Sequence, residues 1–232
     1  AKAEKIKRKG NKVDYILAVS PKEEGRPQKK LKVFANAYVI SAGAIHSPAL
    51  LLKNNIRLKQ IGNHLTIHPT TKVLAEFDEP IHAWKGIPQA LECDALKKEG
   101  ITFEGVFLPP DMVGAALPYH LKYADIMQNY DKIGGFGALI HDSHYGKVRH
   151  YPLIGTKAFY SLTNEDVNKF KKAIAFMARV YLKSGAKKVY PFVNHEMNCL
   201  ENEADIEAFM QAKIRNQDIE SMGFHPLGTL RM

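Results

Sequence analysis

One short segment near the carboxyl end of this sequence combines residue types that can do chemistry. Residues 224–232 read Phe-His-Pro-Leu-Gly-Thr-Leu-Arg-Met. Because proline fixes its own φ and restricts the residue before it, the imidazole of His225 has a defined direction. Imidazoles exchange protons near neutral pH, which makes His225 a candidate general base. On spacing alone, a histidine that only hydrogen-bonds a buried carbonyl is the favoured alternative.

A second segment joins a predicted strand to a predicted helix. Residues 39–52 read Val-Ile-Ser-Ala-Gly-Ala-Ile-His-Ser-Pro-Ala-Leu-Leu-Leu. We expect a buried strand that ends in a glycine turn, with Ser47 as N-cap and Pro48 at the first helical position of a helix over 49–54. Such a turn lets the backbone approach a flat ligand, and the helix presents free N–H groups. An ordinary strand-to-helix turn is the alternative.

The sequence's ten histidines do not predict a metal site. His64 and His68 are four residues apart, but the neighbouring Gly62 and Pro69 favour an extended or turn conformation over a shared helical face. Residues 141–144 contain two histidines and an aspartate around a predicted turn, where ordinary turn hydrogen bonds are the more common role. No glycine-rich nucleotide fingerprint, P-loop or Gly-x-Ser-x-Gly elbow occurs in the sequence.

The elements that must position these residues alternate between strands and helices. A hairpin is expected from residues 13–19 and 31–41, followed by short strands over 72–77, 87–93 and 101–108. Residues 136–140 and 147–151 are expected to form another hairpin around 141–146. Helices are expected over 121–131, from Thr163 to Gly185, and over 205–214, with a strand over 187–193. The pattern predicts an α+β fold in which helices pack on an antiparallel sheet.

The helix that follows Thr163 has the clearest pattern. Thr163 and Asp166 resemble a capping box with aspartate in place of glutamate. Apolar residues recur at spacings of three and four and predict one buried face: Val167, Phe170, Ile174, Met177 and Tyr181.

Composition excludes several classes of protein. The 232 residues are 45% hydrophobic, which excludes disordered and fibrous chains, and no apolar run approaches the ~20 residues of a membrane helix. The net charge of +9 is concentrated in residues 1–32, which hold eleven Lys or Arg against four Asp or Glu. That stretch contains a single aromatic residue, Tyr15, so a solvated hairpin is favoured over a nucleic-acid interface.

The two segments, in this order, resemble the glucose/methanol/choline (GMC) family of flavin-dependent alcohol oxidoreductases. Residues 43–48 resemble the family's second signature, and residues 225–232 resemble its active-site strand. Residues 61–69 resemble its Gly-x-Asn-Leu-x-x-His-Pro loop. Residues 146–149 and 184–190 are similar to bacterial members that resemble long-chain or sterol alcohol oxidases. One departure is Asn54-Asn55, where the family has Ser-Gly; asparagine tolerates the positive φ that this turn needs.

The resemblance implies which residues carry the chemistry. FAD is the implied cofactor, contacted by Ala42, Gly43, Ala44, Ser47 and Pro48. His225 corresponds to the base that takes the hydroxyl proton, or to the hydrogen bond that orients the alcohol, while hydride passes to the flavin. Gln89, expected on a strand that faces the pocket, is a candidate substrate contact.

The resemblance also implies a domain division. Residues 1–70 correspond to part of the FAD-binding domain, and residues 71–232 to a substrate-binding domain. The family's dinucleotide-binding strand is expected before Ala1 and its second catalytic residue after Met232. We therefore expect a middle-to-late portion of a longer enzyme, inactive by itself.

The implied partners are a small, rather apolar alcohol and an electron acceptor that is oxygen, a quinone or a cytochrome. No nucleic acid and no membrane span are expected, and the compartment, cytoplasmic or periplasmic, stays open. A non-catalytic substrate-binding or assembly module is the alternative function.

Overall fold

The computed structural model describes residues 1–87, 89–107, 109–119 and 121–231. In chain order its strands are β1 (Lys2–Lys9), β2 (Lys12–Val19), β3 (Lys30–Val33), β4 (Pro69–Glu76), β5 (Glu92–Cys93), β6 (Ile101–Gly105), β7 (Ile133–Ile140), β8 (Lys147–Tyr151), β9 (Gly155–Phe159), β10 (Lys188–Pro191) and β11 (Met222–Gly223). Its α-helices are α1 (Gly43–Lys53), α2 (Pro110–Ala116), α3 (Tyr123–Gln128), α4 (Asn164–Lys183) and α5 (Glu203–Gln211). These strands pair antiparallel. The predicted α+β class is confirmed.

The chain folds into two compact units. The first contains residues 1–67, 145–160 and 225–232, and the second contains residues 68–144 and 161–224. The predicted substrate-binding domain contains residues 71–232, whereas residues 145–160 and 225–232 lie in the first unit. The assignment of a function to each domain stays a prediction.

The first unit has a three-stranded sheet in the order β1–β2–β3. The predicted hairpin is confirmed where β2 pairs with β3, with Ile16 opposite Val33. The predicted second strand, 31–41, is too long, because β3 ends at Val33 and the following Val39 is 88% exposed. No described strand pairs with residues 34–41, and an extended backbone needs such a neighbour for its N–H and C=O groups. The buried strand expected before the glycine turn is therefore absent from the described residues.

Helix α1 begins earlier than the sequence pattern indicates. Its N-cap is Ala42 and its first residue is Gly43, so the prediction of Ser47 as N-cap and Pro48 as the first helical residue is wrong. The hydroxyl of Ser47 instead accepts a hydrogen bond from the Ala42 N–H at 2.8 Å, and this bond closes the first turn. After the helix, Asn55 has a φ of +56°, which confirms that asparagine adopts the left-handed turn conformation here.

The side chain of Asn54 joins the end of α1 to β1. Its oxygen accepts a hydrogen bond from the Ile6 N–H at 2.9 Å, and its amide donates to the carbonyls of Glu4 at 3.2 Å and Leu50 at 2.8 Å. The pairing register of β1 shifts at Glu4, so the strand's own ladder is interrupted there. The Asn54 amide supplies a donor that the interrupted ladder lacks.

Strand β8 pairs with β9 in the first unit, so the predicted hairpin of residues 136–140 with 147–151 is wrong. Strand β7 pairs with β4 on one edge and with β6 on the other, in the second unit. Both edges of β7 are thus occupied, and β8 finds its partner across the three-residue turn 152–154.

The second unit contains a sheet in the order β10–β4–β7–β6–β5. Strand β7 covers one edge of β4, so β10 and β11 share the other edge. Strand β10 pairs with residues 73–76 and β11 with residues 69–70, and residues 71–72 lie between the two partners.

Helix α4 packs on one face of this sheet, as its apolar pattern predicts. The predicted stripe is buried, in one cluster with side chains from β4, β6 and β7: Val73, Ala75, Ile101, Phe103, Ala138 and Ile140. Gly185, with a φ of +94°, follows the helix at its predicted end.

The start of α4 is fixed by the predicted capping box. The carboxylate of Asp166, fully buried, accepts hydrogen bonds from the Thr163 N–H at 2.8 Å and the Ser143 N–H at 3.1 Å. The Thr163 hydroxyl accepts one from the Asp166 N–H at 3.1 Å. Burial alone would raise the pKa of Asp166, but the hydrogen bonds from Thr163 and Ser143 outweigh it and lower that pKa.

Other elements differ from the predictions in length. Strand β5 is shorter than 87–93, β6 is shorter than 101–108, and helix α3 is shorter than 121–131. Pro88 and Leu108 of the predicted strands lie outside the described residues.

Helix α5 begins at Glu203 because the Asn202 side chain accepts a hydrogen bond from the Asp205 N–H at 3.0 Å and caps the helix. Helix α2 was not predicted, although proline at a first helical position favours it. No described helix combines the length and the apolar character needed to cross a membrane.

Replacing Asp166 by alanine leaves the part-buried N–H groups of Thr163 and Ser143 without this acceptor. We expect the free energy of unfolding of the chain to fall by about 1–3 kcal/mol in urea denaturation at pH 7. Because the folded pKa of Asp166 is lowered, its contribution is present above the ordinary aspartate pKa of ~3.9 and is lost as the pH falls through the folded value. The difference between wild type and variant should therefore shrink below about pH 4. Glu165→Ala, an exposed change in the same turn, should cost at most about 0.5 kcal/mol; equal costs for the two variants would refute this account.

Candidate functional site

A proline inside α1 creates the contact that joins the two segments singled out in the sequence. Pro48 has no N–H, so it cannot make the helical hydrogen bond to the carbonyl of Ala44, four residues earlier. The hydroxyl of Thr229 donates to that carbonyl instead, at 2.6 Å, across 185 residues of sequence. Thr229 is 1% exposed, so water cannot replace it. The part-buried carbonyl of Ala44 is thereby satisfied by the segment that contains the candidate base.

The two segments line one groove in the first unit. Its volume is about 530 Å³, and its lining comes from residues before and within α1 and from the carboxyl-terminal segment: Ile40, Ser41, Gly43, Ala44, Ser47, Pro226, Leu227, Gly228, Thr229, Leu230 and Arg231. Three of the five predicted cofactor contacts, Gly43, Ala44 and Ser47, are in this lining. A Cβ atom built on Gly43 would meet no atom of the described residues within 4 Å, so the space beside its backbone is open to a ligand.

Ala42 lines a neighbouring cavity of about 590 Å³ on the other side of the helix start. Its walls include two histidines and two lysines, from α1, β1 and the β8–β9 hairpin: His46, Lys53, Lys2 and His150. The fifth predicted contact, Pro48, is buried and is not part of either lining.

The carboxyl-terminal segment is held against the loop of residues 61–68. Leu227 and Thr66 exchange two backbone hydrogen bonds, at 2.9 and 3.1 Å. Gly228 has a φ of +87°, and a Cβ atom at this position would lie 2.1 Å from the carbonyl oxygen of His64. Only glycine allows both this backbone conformation and this approach.

The same loop is fastened to the β8–β9 hairpin. The carbonyl of Gly62 accepts from the Val148 N–H at 2.7 Å and from the Arg149 guanidinium at 2.8 Å. Arg149 also donates to the Asn63 side-chain oxygen at 2.7 Å. The Gly62 N–H donates to the Thr229 carbonyl at 2.9 Å, so one loop connects the hairpin to the groove.

His64 and His68 have turn conformations, as predicted, with φ values of +58° and +51°. Left-handed backbone is unusual for histidine and costs of the order of 1 kcal/mol or more. The ring of His64 packs edge-on against Tyr145 at 5.1 Å. The two histidines therefore shape this loop and do not share a helical face.

His225 is exposed and directly precedes Pro226, the first groove residue of its segment. It is not itself part of the groove lining, and its role as a base stays a prediction. Met232, the last residue of the predicted motif, lies outside the described residues.

Gln89 is in the second unit, where it is exposed and lies in a turn. The expectation that it lies on a strand is wrong, because β5 begins only at Glu92. Within the described part of the chain, no three His, Cys, Asp or Glu side chains group closely enough to hold a metal ion, and residues 141–144 are no exception.

Comparisons with known proteins agree with the motifs. The family model described as GMC oxidoreductase matches residues 1–70. A GMC-type oxidoreductase of Sinorhizobium fredii is 29% identical over 185 residues, which are 78% of this chain and 36% of that protein. One of Mycobacterium tuberculosis is 26% identical over 205 residues, 86% of this chain and 32% of that protein. A long-chain-alcohol oxidase of Arabidopsis thaliana is 23% identical over 224 residues, 90% of this chain and 29% of that protein.

The matched proteins are oxidoreductases by name. The chain is similar to the GMC oxidoreductase family, most directly over residues 1–70, and the resemblance read from its motifs is confirmed. It spans about a third of the length of these curated relatives.

Sequence reasoning identified both segments of the groove but missed what joins them. Thr229 was recognised only as part of a motif, and its role as donor to Ala44 was not predicted. The available signal was Pro48: a proline within the helix leaves the carbonyl four residues earlier in need of another donor.

Removing the Thr229 hydroxyl should destabilise the first unit. Thr229→Val leaves the part-buried Ala44 carbonyl without its donor, and we expect the free energy of unfolding in urea to fall by about 1–3 kcal/mol. In a Pro48→Ala background the cost should drop by about 1 kcal/mol, because that substitution restores a backbone N–H that can reach the Ala44 carbonyl.

Thr66→Val is the matched control. The hydroxyl of Thr66 is buried with no hydrogen-bond partner in the described residues, so its loss should be neutral or stabilising. A Thr229→Val cost that is the same with and without Pro48 would contradict the proposed link between proline and threonine.

Proposed function

We propose that this chain is part of an FAD-dependent oxidoreductase that oxidises the CH–OH group of an alcohol. The observation that carries the proposal is the groove in which the glycine turn and the carboxyl-terminal segment meet, joined by the Thr229–Ala44 hydrogen bond. In the sequence these two segments are the ones that match the family's signatures.

The groove suits a flat, anionic cofactor. The space beside the Gly43 backbone is free of other described atoms. The N–H groups in the first turn of the 11-residue helix α1 lack helical acceptors. Such N–H groups bind phosphate oxygens, and Arg231 adds positive charge to the same lining. Gly43, Ala44 and Ser47 would hold the flavin nucleotide from this side, and Ala42 would contact it from the neighbouring cavity. When bound, FAD supplies the hydride acceptor.

His225 is proposed to take the hydroxyl proton of the alcohol. Pro226 follows it, so the backbone of His225 is restricted and its ring is presented in a defined direction. The bridge between Leu227 and Thr66, together with Gly228 against the His64 carbonyl, fixes the next residues of this segment. A base held beside a cofactor groove needs this kind of support, since proton transfer depends on positioning.

The proposed substrate is a rather apolar alcohol. Support comes from the Arabidopsis thaliana relative, whose name is long-chain-alcohol oxidase and whose match covers 90% of this chain.

Flavin content tests the cofactor. We expect the purified intact protein to be yellow, with flavin absorbance. Gly43→Ala should lower the flavin content because the added Cβ projects into the open space of the groove. Gly10→Ala, at another positive-φ glycine with no described atom within 4 Å, controls for backbone strain. A protein that stays colourless after reconstitution with FAD would refute the cofactor assignment.

Turnover tests the base. His225→Ala in the intact protein should lower kcat by roughly 10²- to 10⁴-fold, which is the usual contribution of general acid–base catalysis. His225→Gln should be similarly impaired if the ring accepts the proton, and much less impaired if it only orients the alcohol. His144→Ala, at an exposed histidine of the second unit, should leave kcat unchanged. Full turnover by His225→Ala would remove this residue from the mechanism.

A further inference from the structure

The second unit contains a buried lysine with no polar partner among the described residues. Lys72 lies in β4, the strand between β10 and β7, and is only 6% exposed. Its Nζ atom is buried and has no hydrogen-bond partner in the described part of the chain. The contact that it does make is with an aromatic ring, since Nζ lies 5.8 Å from the centroid of Phe192. Burial lowers the pKa of Lys72, which reflects the cost of keeping an ammonium group away from water.

The edge of β4 beside this side chain has no regular strand partner, although the Phe192 N–H donates to the Lys72 carbonyl at 3.2 Å. Residues 71–72 are the part of the β4 edge that neither β10 nor β11 covers by strand pairing. A small pocket opens there, lined by Lys72 with three apolar side chains, Phe192, Met222 and Phe224. Phe192 is buried, whereas Met222 and Phe224 are exposed. The lining thus combines a buried lysine with exposed apolar side chains.

The other polar side chains of the pocket already have partners. Thr71 donates its hydroxyl hydrogen to the Glu220 carbonyl at 2.9 Å, and Thr70 donates to the His68 carbonyl at 3.3 Å. The carboxylate of Glu220 accepts a hydrogen bond from the Asn194 side chain. No ion pair joins Glu220 to Lys72 among the residues that the structure describes. Within this lining, Lys72 is the buried donor that a ligand can satisfy.

An unpaired buried ammonium is costly, and an anion that reaches it recovers much of that cost. The cavity volume is about 10 Å³, room for about one water-sized group, so it suits a compact head group such as one carboxylate oxygen. The exposed side chains of Met222 and Phe224 offer apolar surface to the remainder of the molecule.

We propose that this pocket binds a carboxylate with an apolar chain, the carboxylate pairing with Lys72 and the chain lying on Met222 and Phe224. The proposal concerns the second unit alone and does not depend on the flavin assignment.

Decanoate is the probe, titrated calorimetrically into the intact protein. Lys72→Met keeps an unbranched side chain, one atom shorter, and removes the charge, and we expect it to weaken decanoate binding by at least about tenfold, the lower end for a charge-assisted hydrogen bond. Decanamide, the uncharged analogue, should bind the wild-type protein more weakly than decanoate does, and Lys72→Met should not change its affinity. Lys213→Met, at an exposed lysine of the same unit, should leave decanoate binding unchanged.

Equal decanoate affinity in wild type and Lys72→Met would overturn the proposal, and so would equal affinity of the wild type for decanoate and decanamide. A second measurement covers the case in which Lys72→Met does not fold. Reductive methylation of the wild-type protein, followed by peptide mass spectrometry, should show Lys72 protected by decanoate and Lys213 not protected. Methylation of Lys72 at the same rate with and without decanoate would also overturn the proposal.

Discussion

The hydrogen bond from the Thr229 hydroxyl to the Ala44 carbonyl is the contact on which the groove depends. It exists because Pro48 lacks an N–H and so leaves a part-buried carbonyl without a donor in the first turn of helix α1. A carbonyl in that position must find a partner or lose of the order of 1–3 kcal/mol. The need is met by a segment 185 residues away, which holds the two halves of the groove together.

The rest of the first unit supports this contact. Gly228 lets the carboxyl-terminal segment approach the carbonyl of His64 to a distance that any side chain would prevent. Hydrogen bonds from Arg149 join the loop before His64 to the β8–β9 hairpin. The side chain of Asn54 hydrogen-bonds the end of α1 to β1. Asn54 pairs with backbone groups where the β1 ladder is interrupted, and Arg149 adds a second donor to the Gly62 carbonyl, so irregular backbone is held in place around the proposed cofactor groove.

The second unit is held together mainly by apolar burial. Its sheet is held by the burial of one apolar face against α4, whose start is fixed by the buried carboxylate of Asp166. In its described part, few buried side-chain polar atoms lack a hydrogen-bond partner. One of them is Nζ of Lys72, a residue that lines a pocket. A buried charge without a partner costs stability, so its presence there is better explained by a ligand than by folding.

The sequence by itself determined what depends on neighbours along the chain: the capping box at Thr163, the stripe on α4, the left-handed Asn55 and the α+β class. It also showed, through residues 43–48 and 225–232, which family the chain resembles. Tertiary structure decided the pairing of β8 with β9, the end of β3 at Val33 and the early start of α1. These depend on which backbone groups meet in space, because a strand or a proline-containing helix is completed only by donors and acceptors that distant residues supply.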